Sequence, residues 1–244
     1  MSRETLSIPP VLAFADPAGE LWGVAVGEGD TLLATGPLDR ATDAAAAATL
    51  EAGGAPDTWT LSAASGSLSA TAEPAGVSVP DADGGLALVR ISGSLLGDEE
   101  APAAAGGVRH PGWPDLQADS VRLLCAWFSP ERAMAFLAVR PSRAKGQDRD
   151  ELSAICIGER DGMIAFDPRL STTYGEDYVL RRVGVELWLG ENEEADMYSL
   201  RMAGEATGSA ATLPVDGARV QAQPFRCHSR GETGVGVYVL ISRS

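Results

Sequence analysis

Ser120-Val-Arg-Leu-Leu-Cys-Ala-Trp-Phe128 and Ala133-Met-Ala-Phe-Leu-Ala-Val-Arg140 flank a four-residue connection, Ser129-Pro130-Glu131-Arg132. Each flank is an apolar run of strand length, and the proline presets the backbone for a turn. Together they read as a β-hairpin, the clearest in the chain, and they set the class as all-β. Working outward towards the C-terminus, further strands are predicted at 151–157, 178–189, 198–205, 219–225 and 235–241, with Gly, Asp and Asn clusters between them. About seven antiparallel strands suffice for a barrel. Gly231-Glu-Thr-Gly-Val-Gly236 is read as the turn into the last strand, since no helix follows to present its N-terminus to a phosphate.

The N-terminal half repeats the style. Residues 11–15 and 21–26 are apolar runs joined by Asp16-Pro17-Ala18-Gly19. Residues 58–64 and 67–73 alternate around Ser65-Gly66, and 86–96 form one further strand. Two segments break the pattern. Asp43-Ala-Ala-Ala-Ala-Ala-Thr-Leu-Glu51 before Gly53-Gly54 has a capping Asp, helix-favouring alanines and a glycine stop, so a short surface helix competes with a loop there. Residues 142–150 admit a helical turn or a solvated loop. The stretch from Gly97 to Asp115 is rich in breakers and small residues and is taken as the linker. The expected architecture is therefore two consecutive antiparallel β-barrels, 1–118 and 119–244, with at most one or two short helices.

The chain has 244 residues, of which 45% are hydrophobic and 22% charged, the balance of an ordinary globular protein. Its net charge of -15 repels phosphate backbones and anionic lipid, so neither nucleic acid nor a membrane surface is an expected partner. The charge is uneven: residues 1–118 hold 16 acids and 4 bases, and residues 119–244 hold 18 acids and 15 bases. Cys125, Cys156 and Cys227 are odd in number, lack CxxC spacing and lie among apolar neighbours, which favours buried thiols in a reducing compartment. No run of apolar residues is long enough for a membrane helix, and the first ten residues lack a signal-peptide core, so the expected location is cytoplasmic, without membrane insertion. Exposed strand edges would allow a homodimer.

Chemistry-bearing motifs are scarce. The two histidines, His110 and His228, are far apart in sequence with no HExxH or Cys/His cluster, so neither a metal nor a cofactor is expected. His110 and Trp113 in Arg109-His-Pro-Gly-Trp113 would line a pocket mouth, or simply pack on each other. His228 follows Cys227, but adjacent strand residues point to opposite faces and cannot pair. No GxSxG elbow occurs. Glu191, Glu193, Glu194 and Asp196 read as a solvated turn, since the EF-hand order is absent. Glu186 shares a strand face with Gly184 and Trp188; facing a cavity it would be a proton donor of raised pKa, facing water it would be inert. Trp22, Trp59, Trp127 and Trp188 all fall in predicted strands, where inward rings would either line an apolar ligand chamber or fill the core.

In their order along the chain, Phe14-Ala-Asp-Pro17, Leu21-Trp-Gly-Val-Ala-Val26, Val183-Gly-Val-Glu-Leu-Trp188, Arg201-Met-Ala-Gly-Glu205 and Gly234-Val-Gly-Val-Tyr238 resemble the two-domain lipocalin-like family related to carotenoid 1,2-hydratase (hydroxyneurosporene synthase) and the AttH-like proteins. The resemblance spans the whole chain through short patterns. It implies two lipocalin-like barrels with apolar cavities, and a family that includes water addition to polyene double bonds. Such hydration needs a proton donor, aromatic faces or carboxylates to stabilise a carbocation, and a positioned water. Glu186, Trp127 and Trp188 are of that chemical kind. The family's His-rich segment opening the second domain is reduced here to His110 alone, which puts catalysis in doubt. The readings that follow are binding of a hydrophobic small molecule, isoprenoid or acyl in type; a cofactor-free lyase, hydratase or isomerase using Glu186 or His228; and an interaction protein with filled barrels.

Overall fold

The computed structural model describes residues 5–16, 21–27, 29–36, 38, 45–52, 58–64, 66–72, 78–79, 85–94, 105–129, 131–144, 149–157, 162–190, 197–215 and 217–243. Eleven strands precede the sequence's marker hairpin: β1 (Leu6–Ile8), β2 (Val11–Ala15), β3 (Trp22–Val26), β4 (Gly29–Gly36), β5 (Ala45–Ala52), β6 (Thr58–Ala63), β7 (Gly66–Ala72), β8 (Ser78–Val79), β9 (Leu86–Ser94), β10 (Ala105–His110) and β11 (Trp113–Leu116). Each of β2 to β6 pairs antiparallel with the next, β7 pairs with β9, and β9 pairs with β10. Because β10 also pairs with β2, the order of hydrogen-bonded neighbours returns to its first strand. β8 hangs on β9, and β1 pairs with β11.

The ten later strands are β12 (Ala118–Ser129), β13 (Arg132–Pro141), β14 (Glu151–Ile157), β15 (Gly162–Ile164), β16 (Arg169–Tyr174), β17 (Leu180–Leu189), β18 (Tyr198–Ala206), β19 (Ala211–Val215), β20 (Ala218–Ser229) and β21 (Glu232–Arg243). They form one antiparallel sheet in the order β15-β14-β13-β12-β21-β20-β18-β17-β16, with β19 on β20. The sheet rolls up. Inward residues from both of its halves belong to one core, and backbone bonds from Ala165 N to Ala154 O (2.9 Å) and Phe166 N to Trp188 O (2.9 Å) span the gap between its ends. The whole is an all-β, lipocalin-like pair of antiparallel meanders. A short 3-10 turn, Glu176–Tyr178, leads from β16 into β17. No helix among the described residues is long and apolar enough to cross a membrane.

The marker hairpin forms in the expected register, Trp127 opposite Ala133 and Leu124 opposite Phe136. Its unbroken hydrophobicity reflects burial on both faces. Leu124, Ala126, Met134 and Phe136 point into the rolled C-terminal sheet. Val121, Leu123, Cys125, Trp127, Ala133, Ala135 and Leu137 point the other way, into a core shared with Val11, Ala13, Trp22, Val24, Leu88 and Val108 of the N-terminal sheet. A third, smaller core fills the N-terminal sheet with Leu12, Phe14, Leu50, Trp59, Leu61, Val89 and Ile91 among others.

Two expectations are corrected. The alanine-rich segment offered as a helix is strand β5, with Ala46 opposite Leu33 and Leu50 opposite Leu61; Asp43 and Gly53-Gly54 lie outside the described residues. Alanine's helical preference is a fraction of a kcal/mol per residue, whereas a missing strand would orphan the backbone groups of both β4 and β6. The supposed linker contains β10 and β11. Gly106 and Gly107 are there for packing rather than freedom: a Cβ on Gly106 would fall inside the Trp127 ring system, and one on Gly107 would strike the backbone of Ala13. Of 142–150, positions 145–148 lie outside the described residues, as do Glu191, Glu193, Glu194 and Asp196.

Candidate functional site

Strand alternation assigns the inward positions of the C-terminal sheet. On β12, β13, β20 and β21 they are apolar in the middle and polar towards one end, where β13 hands over to β14 and β16 to β17. Arg122 lies two residues before the inward Leu124, Arg140 two residues after the inward Ala138, and Asp150 immediately before β14. The Asp150 side chain is fully buried and each of its oxygens takes one guanidinium: Oδ2 accepts from Arg122 Nη2, and Oδ1 from Arg140 Nε at 3.3 Å. Arg122 is itself buried, while Arg140 is partly exposed. Beside them Tyr174, the last residue of β16, meets Tyr238 of β21, with hydroxyls 2.6 Å apart and rings edge-on. Burial first, then the neighbouring Tyr174 phenol, push the Tyr238 pKa well above the ordinary tyrosine value; Arg122 opposes this and Asp150 adds to it. Gln223 on β20 faces Tyr238 directly across the ladder and is buried.

An ion triad and a phenol pair thus sit inside an otherwise apolar sheet. Asp150 is committed to two guanidiniums and is no free base. The phenols are the groups able to donate a proton to something lodged in the interior. None of these five side chains emerged from the sequence as a site residue. The available signal was a polar residue in the inward register, such as Arg122 alternating with Leu124 and Ala126. It is unreadable without knowing which face of a doubly buried strand is inward.

The residues singled out from sequence are dispersed. Trp22 and Trp127 are buried in the core shared by the two sheets, and their indole Nε1 atoms have no hydrogen-bond partner. Trp59 lies inside the N-terminal sheet, with the Arg109 guanidinium 5.5 Å from its ring centroid. Trp188 faces outwards on β17. The four rings therefore do not converge on one chamber. His110 closes β10, buried; its Nδ1 accepts a hydrogen bond from Gly112 N at 2.9 Å, and its ring lies 4.1 Å from that of Trp113.

Glu186 and His228 do come near each other, but on the outer surface. They border a groove of about 570 Å³ also lined by Arg169, Ser171, Gly184 and Arg201. The Glu186 carboxylate accepts from Arg201 Nη2 at 2.7 Å and Nε at 3.0 Å, a cross-strand ion pair on a solvated face. His228 is exposed while Cys227 points inward. Glu186 is accordingly not a buried acid, because the burial alternation of β17 turns Val183, Val185 and Leu187 inward and Glu186 out. No group of three or more His, Cys, Asp or Glu side chains converges as metal ligands would among the described residues.

No protein-family model matches the chain, and no curated protein does. Solved structures do. Kievitone hydratase from Nectria haematococca superimposes with a TM-score of 0.53 at 8% identity, covering 98% of this chain and 90% of that one. An AttH-like protein (NE1406) from Nitrosomonas europaea superimposes with a TM-score of 0.50 at 12% identity, covering 96% and 92%. At such identities the likeness concerns the path of the chain, and it runs over nearly its full length in both cases. The chain therefore has the all-β, lipocalin-like fold of a kievitone hydratase and an AttH-like protein, the structural relationship its short sequence patterns resemble.

Proposed function

We propose that the protein binds a hydrophobic small molecule, isoprenoid or acyl in type, inside its C-terminal sheet. The polar end of that molecule would lie against the Arg122–Asp150–Arg140 triad and the Tyr174–Tyr238 pair. The observation carrying this reading is the placement of buried charge at one end of an apolar interior. Desolvating an ion pair costs several kcal/mol, and well-packed apolar replacements are often neutral or stabilising, so stability alone is a weak reason for the triad. The three buried free thiols suit a cytoplasmic setting. The test is native mass spectrometry of freshly purified protein, followed by denaturation and organic extraction. A stoichiometric apolar adduct, diminished in Tyr238→Phe, is the expected result. A clean apo mass together with failure to bind any hydrophobic fluorophore would sink the reading and favour an interaction protein with filled barrels.

The phenol pair, on the fold of a named hydratase, supports a second reading: a cofactor-free hydratase or lyase. A phenolic proton would pass to one alkene carbon, water would add to the resulting cation, and the proton lost by that water would restore the phenol. Glu186, on the outer face, would not take part. Incubating the extracted ligand with protein in heavy-oxygen water tests this. Enzyme-dependent gain of one labelled hydroxyl, abolished by Tyr174→Phe, would establish catalysis, and absence of label would leave a carrier.

A further inference from the structure

We infer that the polar end of the ligand is a hydroxyl group and that Gln223 is the residue that recognises it, an inference resting on the reading of the C-terminal interior as the binding site. Gln223 is 4% exposed. Its neighbours at alternate positions, Phe225 and Cys227, belong to the interior core, so its side chain enters the same interior. The amide nitrogen Nε2 donates to Gly208 O at 3.5 Å. That contact assigns Nε2 rather than Oε1 to the side facing the carbonyl, since the opposite flip would set oxygen against oxygen. Oε1 is thereby left buried with no hydrogen-bond partner. It can only accept, so what it lacks is a donor.

The surroundings narrow the donor. Tyr238 is the direct cross-strand partner of Gln223. In the Tyr174–Tyr238 bond one phenol donates and the other accepts, and the accepting phenol keeps its own proton for a further partner. Thr172, two residues before Tyr174 on the same strand face, holds a second buried hydroxyl without a partner. This end of the interior therefore offers an acceptor at Gln223 and a donor among the phenols. An alcohol both donates and accepts. A carboxylate would bring only acceptors to Oε1, an ammonium would meet the Arg122 cation, and a plain hydrocarbon would leave every one of these groups unsatisfied. A buried water supplies the same O–H chemistry, and the experiment separates the two sources.

The full chain is titrated with a long-chain alkanol, the alkanoate of equal length and the parent alkane, by displacement of a bound hydrophobic fluorophore. Wild type is expected to hold the alkanol about tenfold more tightly than the other two, the usual scale for satisfying a buried polar group. Gln223→Leu should erase that preference by weakening the alkanol about tenfold relative to the alkane, and should melt no lower than wild type in the ligand-free state, because an unsatisfied acceptor is removed together with one long hydrogen bond. Preference for the alkanoate, or an alkanol preference that survives Gln223→Leu, would overturn the inference. So would equal binding of alkanol and alkane by wild type with a lower melting temperature for Gln223→Leu, the result expected of a structural water. If none of the three displaces the fluorophore from folded wild type, the binding reading itself has failed rather than the role of Gln223. Should Gln223→Leu not fold, the alkanol-to-alkane ratio of wild type decides.

Discussion

At the scale of single residues, Asp150 is the side chain on which most depends. It pairs with two guanidiniums, of which Arg122 is buried with it while Arg140 is partly exposed. Asp150→Ala should therefore destabilise the protein by about 3–5 kcal/mol, the usual cost of stranding one member of a buried pair. Urea denaturation followed by tryptophan fluorescence measures it, and a loss below about 1 kcal/mol would mean that Arg122 reaches water. The double change Asp150→Asn with Arg122→Met should recover much of the loss, because the one charge then left without its partner, Arg140, is partly exposed and can be hydrated. Arg122 and Arg140 lay in the hairpin the sequence singled out, and Tyr238 in Gly234-Val-Gly-Val-Tyr238, but each was only part of a pattern there. The role of Tyr238 came from meeting Tyr174, 64 positions away.

At the scale of elements, the hairpins were legible because a turn residue and two apolar runs are local signals. β2 with β3, β6 with β7, and β12 with β13 all formed where Pro or Gly punctuated the runs. β5 and β10 were not legible. The first is alanine-rich, and the second carries Gly106 and Gly107 next to its first residue, needed for close approach, so both carry the local signature of something other than a strand. Gly106 gives the test. Placing a methyl group there pushes on the Trp127 ring where the two sheets meet, so Gly106→Ala should cost roughly 1–3 kcal/mol, as overpacking of a core does. Combining it with Trp127→Leu should cost less than the sum of the two single changes, a coupling that a double-mutant cycle measures directly. Simple additivity would show that the ring does not rest on Gly106.

At the scale of the molecule, the alkaline behaviour sums several buried acids. Burial pushes Cys125 and Cys227 up to about 12 and Cys156 up to about 11, from an ordinary 9.0, and Tyr238 is raised in the same sense. In the unfolded chain these groups ionise earlier, so above pH 9.0 the unfolded state binds fewer protons than the native one. The stability they contribute is thus fully present below that pH and is lost as pH rises towards the folded values. Melting temperatures across the alkaline range should fall from there onward, and a flat profile would contradict the burial. For the same reason iodoacetamide at about pH 8 should label none of the three thiols in the folded protein and all three after denaturation, read by mass spectrometry.

What the sequence by itself determined was the class and the antiparallel direction of the strands, because apolar periodicity and turn chemistry act over a few residues. The tertiary structure alone decided which face of each strand is inside. In the marker hairpin both faces are apolar, one buried in the C-terminal interior and the other in the core between the sheets. No count of hydrophobic residues distinguishes them. That choice sent Glu186 and His228 to the outer surface and spread the tryptophans among separate cores. It gathered Arg122, Asp150, Tyr174, Gln223 and Tyr238, scattered over more than a hundred positions, at one end of the C-terminal interior. The physical reason is that a strand shows its two faces alternately whatever its residues, and only closure of the sheet on itself makes one of them the interior.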